Sequence, residues 1–215
     1  MSGSSPRTVA LDLPDVILSG DLSLPAASVA RALIIFVHGR GSSRLSPRNR
    51  QVAARLVRRG FATLLFDLLS ADEDRDEGAR FDIPRLTRRL VAVTDWVSRQ
   101  TALAALPIGY FGASTGAAAA LIAATVPNSR VRAVVSRGGR PDLAFDKLTQ
   151  VGVPTLLIVG GADDAVIELN RQAYAALASV KRLAIVPGST HLFEEPGTLD
   201  EVARLAGDWF ECHCR

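Results

Sequence analysis

Residues 108–124 read I-G-Y-F-G-A-S-T-G-A-A-A-A-L-I-A-A. An apolar run, a G-x-S-x-G turn at Gly112, Ser114 and Gly116, and an alanine-rich run follow without a break. That order predicts a buried strand, a tight turn with Ser114 at its tip, and a helix. Holding a serine hydroxyl up at the end of a sheet strains its backbone, and only small residues two positions either side let strand and helix pass so closely. The same turn is expected to set the Thr115 backbone N–H, at a helix N-terminus, beside Ser114. Negative charge on a tetrahedral intermediate would be stabilised there.

Outward from this stretch, 32–37, 62–69 and 155–159 are apolar runs of strand length expected to be buried, the first on both faces, and 131–136 and 182–186 read as further strands. The intervening segments carry apolar residues at spacings of three and four. Ile83, Leu86, Leu90, Val93 and Val97 form one such stripe, and Leu199, Val202, Ala206 and Trp209 another. Ser46-Pro47 and Asp82 read as helix starts, and Gly60 as a stop. Residues 8–24 alternate around Pro14-Asp15 and Ser19-Gly20, which predicts an antiparallel hairpin at a sheet edge. Strand and helix alternate about six times. The pattern specifies an α/β fold with helices on both faces of a mostly parallel sheet and ligand chemistry at the carboxyl ends of its strands.

The loops at those ends carry His38, Asp67, Ser114, Arg137, Asp163, Asp164 and His191. A serine hydroxyl is a weak nucleophile at neutral pH. It needs a general base, and the base needs a carboxylate to hold its tautomer and stabilise its cation. His191, in P-G-S-T-H-L-F after the last strand, is the expected base. His38 lies in a glycine loop better suited to shaping the site, and His213 is at the C-terminus. Asp163 in G-G-A-D-D is the favoured acid, with Asp164 the alternative that could instead cap the next helix. The order Ser, Asp, His suits this architecture. The loop H-G-R-G offers the Arg40 backbone N–H as a second oxyanion donor beside Thr115.

The chain has 215 residues, 48% of them hydrophobic, which predicts one domain over 1–215 with a sizeable core. The first eight residues lack a leader's apolar stretch, and no apolar run is long enough to span a bilayer, so a cytoplasmic protein without a membrane partner is expected. Cys212, His213 and Cys214 lack a fourth ligand and a rigid frame, so neither a metal nor another cofactor is expected. The net charge is +3. No acid stands between Asp21 and Asp67, where Arg31, Arg40, Arg44, Arg48, Arg50, Arg55, Arg58 and Arg59 fall, whereas 71–78 read A-D-E-D-R-D-E-G. Neighbouring blocks of opposite sign argue for mutual pairing, not for a nucleic-acid partner.

With F-V-H-G-R-G-S-S, L-L-F-D-L-L, G-Y-F-G-A-S-T-G, V-S-R-G-G-R-P-D, L-I-V-G-G-A-D-D and V-P-G-S-T-H-L-F in place, the chain resembles the α/β-hydrolase superfamily. The resemblance runs from about residue 30 to 210 and is to its small, lid-less dienelactone hydrolase-like branch. It implies an eight-stranded sheet and a triad of Ser114, Asp163 and His191. Dienelactone hydrolases proper use a cysteine nucleophile gated by a glutamate, whereas this chain has Ser114 and V-H-G-R-G. General ester hydrolysis is therefore the expectation, with lactone hydrolysis or thioester cleavage as alternatives. Perhydrolase or peptidase activity would use the same residues, and a ligand-binding member without catalysis is the rival from another class.

Fewer than 20 residues separate the strand ending at Ser136 from that starting at Thr155, too few for a cap domain. An open site favours small soluble ester, thioester or lactone substrates. His38, Arg137 and Arg140 are the candidate substrate-binding residues. Arg40, Arg137 and Arg140 could grip a substrate carboxylate, or could pair with Asp142, Asp67 or the acidic segment. Arg44, Arg48 and Arg50 are expected to meet Asp72, Glu73, Asp74, Asp76 and Glu77 as a soft gate at the rim.

Overall fold

The computed structural model describes residues 6–26 and 29–215. The first five residues, read above for a leader, lie outside the described residues. Eight strands form one sheet: β1 (Arg7–Asp12), β2 (Ile17–Ser23), β3 (Leu33–Val37), β4 (Ala62–Phe66), β5 (Ile108–Ala113), β6 (Val131–Arg137), β7 (Thr155–Gly160) and β8 (Lys181–Val186). Their order is β1-β2-β4-β3-β5-β6-β7-β8. β1 and β2 pair antiparallel, and β2 joins β4 antiparallel, while β3 to β8 run parallel. The expected edge hairpin and central parallel sheet are both present.

Among the described residues six α-helices complete the layers: α1 (Pro47–Arg58), α2 (Glu77–Phe81), α3 (Ile83–Ser98), α4 (Thr115–Ala123), α5 (Asp164–Ala176) and α6 (Thr198–His213). α1 and α6 cover one face, packing Val52, Leu56, Val202 and Phe210 on Phe36 and Phe111. The other face carries α3, α4 and α5, with Leu90, Val93 and Leu121 over Ile35 and Tyr110. Ser46 caps α1 by accepting the Asn49 N–H, and Asp82 caps α3 by accepting that of Arg85. α4 is buried nearly all round. A helix apolar on every side belongs inside the molecule, and alanine lets this one approach both the sheet and α3.

Two local expectations change. The acidic segment is not a plain loop, for it contains a 3-10 turn at Glu73–Arg75 and then α2. The C-terminal Cys-His-Cys is not a loose tail either. α6 runs through His213, and Cys214 is packed in the core, where burial pushes its thiol up to about 12. Only a 3-10 stretch, Pro141–Gln150, stands between β6 and β7. Among the described residues no helix is long and apolar enough to cross a membrane.

Candidate active site

Ser114 sits between β5 and α4 with φ 50° and ψ −123°, a conformation that side-chain-bearing residues avoid. The two flanking glycines explain how the turn survives. A Cβ at Gly112 would lie 2.5 Å from the Ala117 Cα, and one at Gly116 would overlap the carbonyl oxygens of Val37 and His38. The backbone of Ser114 is tied to the loop after β6, its N–H donating to Arg137 O (3.2 Å) and its carbonyl accepting from Arg140 N (3.1 Å). Strain at the tip is thus held from the end of the neighbouring strand β6 and the residues that follow it.

His191 lies on the loop after β8, and its Nδ1 is 2.7 Å from Asp163 Oδ2. With the carboxylate as acceptor, Nδ1 carries the proton and Nε2 is left as the basic nitrogen. Nε2 has no hydrogen-bond partner among the described residues. Asp163 occupies the N-cap position of α5, yet its side chain makes no capping bond and turns to His191 instead. Asp164 is the first residue of that helix. The loop is held by Glu195, whose carboxylate accepts the Thr190 N–H, and by buried Phe193 in a left-handed conformation.

Ser114 and His191 both line a cavity of about 310 Å³. Thr115, Arg40, Arg137 and Arg140 line it too, and among the described residues no carboxylate does. The Arg40 N–H, expected to stand open as an oxyanion donor, is instead given to Thr115 Oγ1 at 2.9 Å. The Thr115 N–H, at the first position of α4, has no intrahelical acceptor.

His38 is not placed to bind substrate. Its Nδ1 faces Gly39 O of its own loop at 3.0 Å, and its Nε2 accepts the Leu68 N–H at 3.0 Å and so ties the loop after β3 to that after β4. Burial lowers its pKa, which suits a neutral, doubly bonded imidazole. Arg140 is also committed, forming a two-point ion pair with Asp142 at 2.7 and 2.8 Å. Arg40 pairs with Glu77 at 3.3 Å and lies over the Phe81 ring. Among the described residues, Arg137 alone of the three has no acid partner. It is 7% exposed, Nη2 donates to Asn49 Oδ1 at 3.2 Å, and Nε is buried without a partner.

The expected gate between the charge blocks is absent among the described residues. Arg44 pairs with Asp67 (2.6 Å) and Asp21 (3.5 Å), Arg50 with Asp21 (2.9 Å), and Arg48 with Glu194 (2.7 Å). Glu73 goes to Arg89, Asp74 to Arg80 and Asp72 to Arg75. The acids find arginines of their own segment and of α3 first, because those are nearer along the chain and on the helix beneath. Arg40–Glu77 is the link that remains. Ser46, Arg48 and Asn49 also line the cavity, a role their sequence did not announce. Ser46-Pro47 signalled a helix start, and the position of that start, after β3, could have pointed to the carboxyl edge.

The family model described as an alpha/beta hydrolase domain matches residues 30–204. A solved dienelactone hydrolase from Anabaena variabilis is 49% identical, with a TM-score of 0.93, over 99% of this chain and 100% of that one. A lid-less serine hydrolase from Xanthomonas campestris shares the fold at 21% identity and a TM-score of 0.79, over 99% of this chain and 96% of that one. A curated Mycobacterium tuberculosis protein named as a candidate phosphoribosyl transferase is 57% identical over 196 residues, 91% of this chain and 44% of its own length. The chain thus spans less than half the length of these curated relatives. With an eight-stranded sheet, a strained serine at the β5–α4 turn and these matches, the chain belongs to the α/β-hydrolase family, in its dienelactone hydrolase-like branch.

Proposed function

We propose that the chain, as one domain over residues 1–215 without a cap, is a serine hydrolase of small carboxylic esters acting through an acyl-enzyme on Ser114. The observation that carries this reading is the 2.7 Å bond from His191 to Asp163 on the same cavity as the strained Ser114. In this mechanism His191 Nε2 takes the Ser114 proton as Oγ attacks the acyl carbon. Asp163 keeps the tautomer and stabilises the imidazolium, and His191 then protonates the leaving alcohol. Water, activated by the same nitrogen, releases the acid and restores Ser114. The tetrahedral oxyanion takes the Thr115 N–H and that of Arg40, whose bond to the Thr115 hydroxyl must be exchanged for it.

Lactones and thioesters present the same acyl carbon, and the relationship to a dienelactone hydrolase favours lactones as the second substrate class. The phosphoribosyl transferase name belongs to proteins of more than twice the matched length, and neither the elbow nor the Asp163–His191 pair calls for that activity. Labelling by a fluorophosphonate probe, with a panel of ester, thioester and lactone substrates, tests the reading. Labelling confined to Ser114 together with ester turnover is expected. An unlabelled, inactive protein that is folded sinks it.

A further inference from the structure

Arg137 is the least satisfied buried charge among the described residues. A guanidinium has five N–H donors, and only one of those on Arg137 has a protein acceptor there, Asn49 Oδ1 at 3.2 Å. The residue is more than nine-tenths buried, and its Nε is shut away without a partner. Its only other contact of note is the Phe193 ring, 5.6 Å from the guanidinium carbon. Burial and the neighbouring Arg48 cation pull its pKa down to about 10, which still leaves it charged at neutral pH. A buried cation next to another cation is costly unless something anionic completes it.

The surroundings supply further donors, and the one acid paired with them, Glu194 on Arg48, does not line the cavity. Arg48 binds Glu194 through Nη1, while its Nε is also buried without a partner. Ser46, Arg48 and Asn49 are the cap and first turn of α1, a helix of 12 residues whose positive end therefore lies on the cavity wall. Pro47 at its first position contributes no N–H, but the dipole and the hydroxyl remain. A carboxylate has two oxygens and is satisfied by one guanidinium fork. Two guanidinium groups and a helix N-terminus offer more donors than that, and they match the three terminal oxygens and roughly −1.5 to −2 charge of a phosphate monoester.

We propose that Arg137, Arg48 and the N-terminus of α1 form a phosphate subsite in the wall of the Ser114 cavity. Its ligand is a phosphate group carried on the ester being cleaved. The substrate part of this inference rests on the hydrolase reading above, whereas the subsite itself does not. Because the cavity is about 310 Å³, phosphate and scissile carbonyl belong to one small molecule.

The test begins with binding, using the full chain with Ser114→Ala so that turnover is irrelevant. Inorganic phosphate is titrated calorimetrically at constant ionic strength, with acetate as comparator. Phosphate is expected to bind one to one, about tenfold or more tighter than acetate, and Arg137→Gln or Arg48→Gln is expected to weaken it about tenfold or more. Equal binding of acetate, no saturable phosphate binding, or indifference to both substitutions overturns the subsite. Should Arg137→Gln fail to fold, the partly exposed Arg48 carries the same comparison. The second arm uses the Ser114 protein and two p-nitrophenyl esters of a short hydroxy acid, one phosphorylated and one with its hydroxyl free. The phosphorylated ester is expected to be favoured about tenfold in kcat/KM, mainly through KM, with the preference lost in Arg137→Gln. Lack of preference in the unsubstituted enzyme overturns the substrate assignment. Absence of hydrolysis of the free-hydroxyl ester bears on the hydrolase reading alone, since the titration decides the subsite independently.

Discussion

Arg137, the last residue of β6, and Arg140, three residues on, face one cavity, yet their electrostatic states are opposite. Arg140 lies at the rim, 40% exposed along its side chain, and is matched oxygen for nitrogen by Asp142. Arg137 lies on the floor, buried, with a neutral amide as its hydrogen-bond acceptor. The comparison extends to the whole mouth of the site. At the rim, Arg40–Glu77 and Arg140–Asp142 are exposed or partly exposed pairs that water and salt weaken. On the floor, Ser114, Arg137 and the Asp163–His191 pair are fixed by burial, backbone ties or one short bond. Charge that is already satisfied shapes a surface, whereas charge held unsatisfied by the fold is available to a ligand.

The contrast predicts its largest effects on the floor. Ser114→Ala and His191→Ala should each lower ester hydrolysis by at least about a thousandfold with the fold intact, because the three residues act as a unit. Asp163→Asn should cost on the order of 10³ to 10⁴, and Asp164→Asn little. Steady-state kinetics beside circular dichroism checks this, and a reversal between the two aspartates would move the acid by one residue.

Glycines separate floor from rim in stability. Gly116→Ala drives a methyl group into two carbonyl oxygens and should cost more than about 4 kcal/mol, enough to prevent accumulation of folded protein. Gly41, at the rim with φ 65° and nothing within 4 Å of where a methyl group would stand, should tolerate alanine at about 1 kcal/mol. Comparable melting temperatures for the two variants would contradict the packing account.

The acidic segment divides in the same way. Glu73 binds Arg89, whose side chain is only 4% exposed, and that hydrogen bond, with others from Ser70, lowers the Glu73 pKa from 4.5 to about 2. A carboxyl whose folded pKa is depressed stabilises fully above its unfolded value, and that contribution is lost as pH falls from about 4.5 through about 2. Glu73→Gln should therefore destabilise by about 2 kcal/mol at pH 7, with the difference from the unsubstituted protein vanishing near pH 2. Denaturant titrations at several pH values measure it, and a difference that does not narrow on acidification argues against the pairing.

The smallest effects belong to the rim pairs. Glu77→Gln and Asp142→Asn should each change stability by only about 0 to 1 kcal/mol, less at high salt. Both release an arginine beside the cavity, so KM for an anionic ester should fall while that for a neutral ester stays nearly constant. Equal shifts for the two esters would show that Arg40 and Arg140 act on shape and not on charge.

The sheet, its edge hairpin and the turn at Ser114 were legible in the chain because each rests on local regularity. Apolar runs of strand length, stripes at spacings of three and four, and glycines on either side of a serine are properties of neighbouring residues. The Asp163–His191 contact was legible for a related reason, since both residues follow strands of a parallel sheet and so end at the same edge. What failed was pairing across the chain. Arg44, Arg48 and Arg50 turned to Asp67, Asp21 and Glu194, and the acids turned to Arg75, Arg80 and Arg89, because a flexible charged side chain takes whichever partner packing brings within about 4 Å. Periodicity and steric need along the chain were enough to set the architecture and the order of Ser114, Asp163 and His191. It took the packed molecule to make Thr115 accept the Arg40 N–H, to occupy both nitrogens of His38, and to leave Arg137 without an acid among the described residues. Each of those is a matter of distance and burial between segments remote in the chain, which no local pattern encodes.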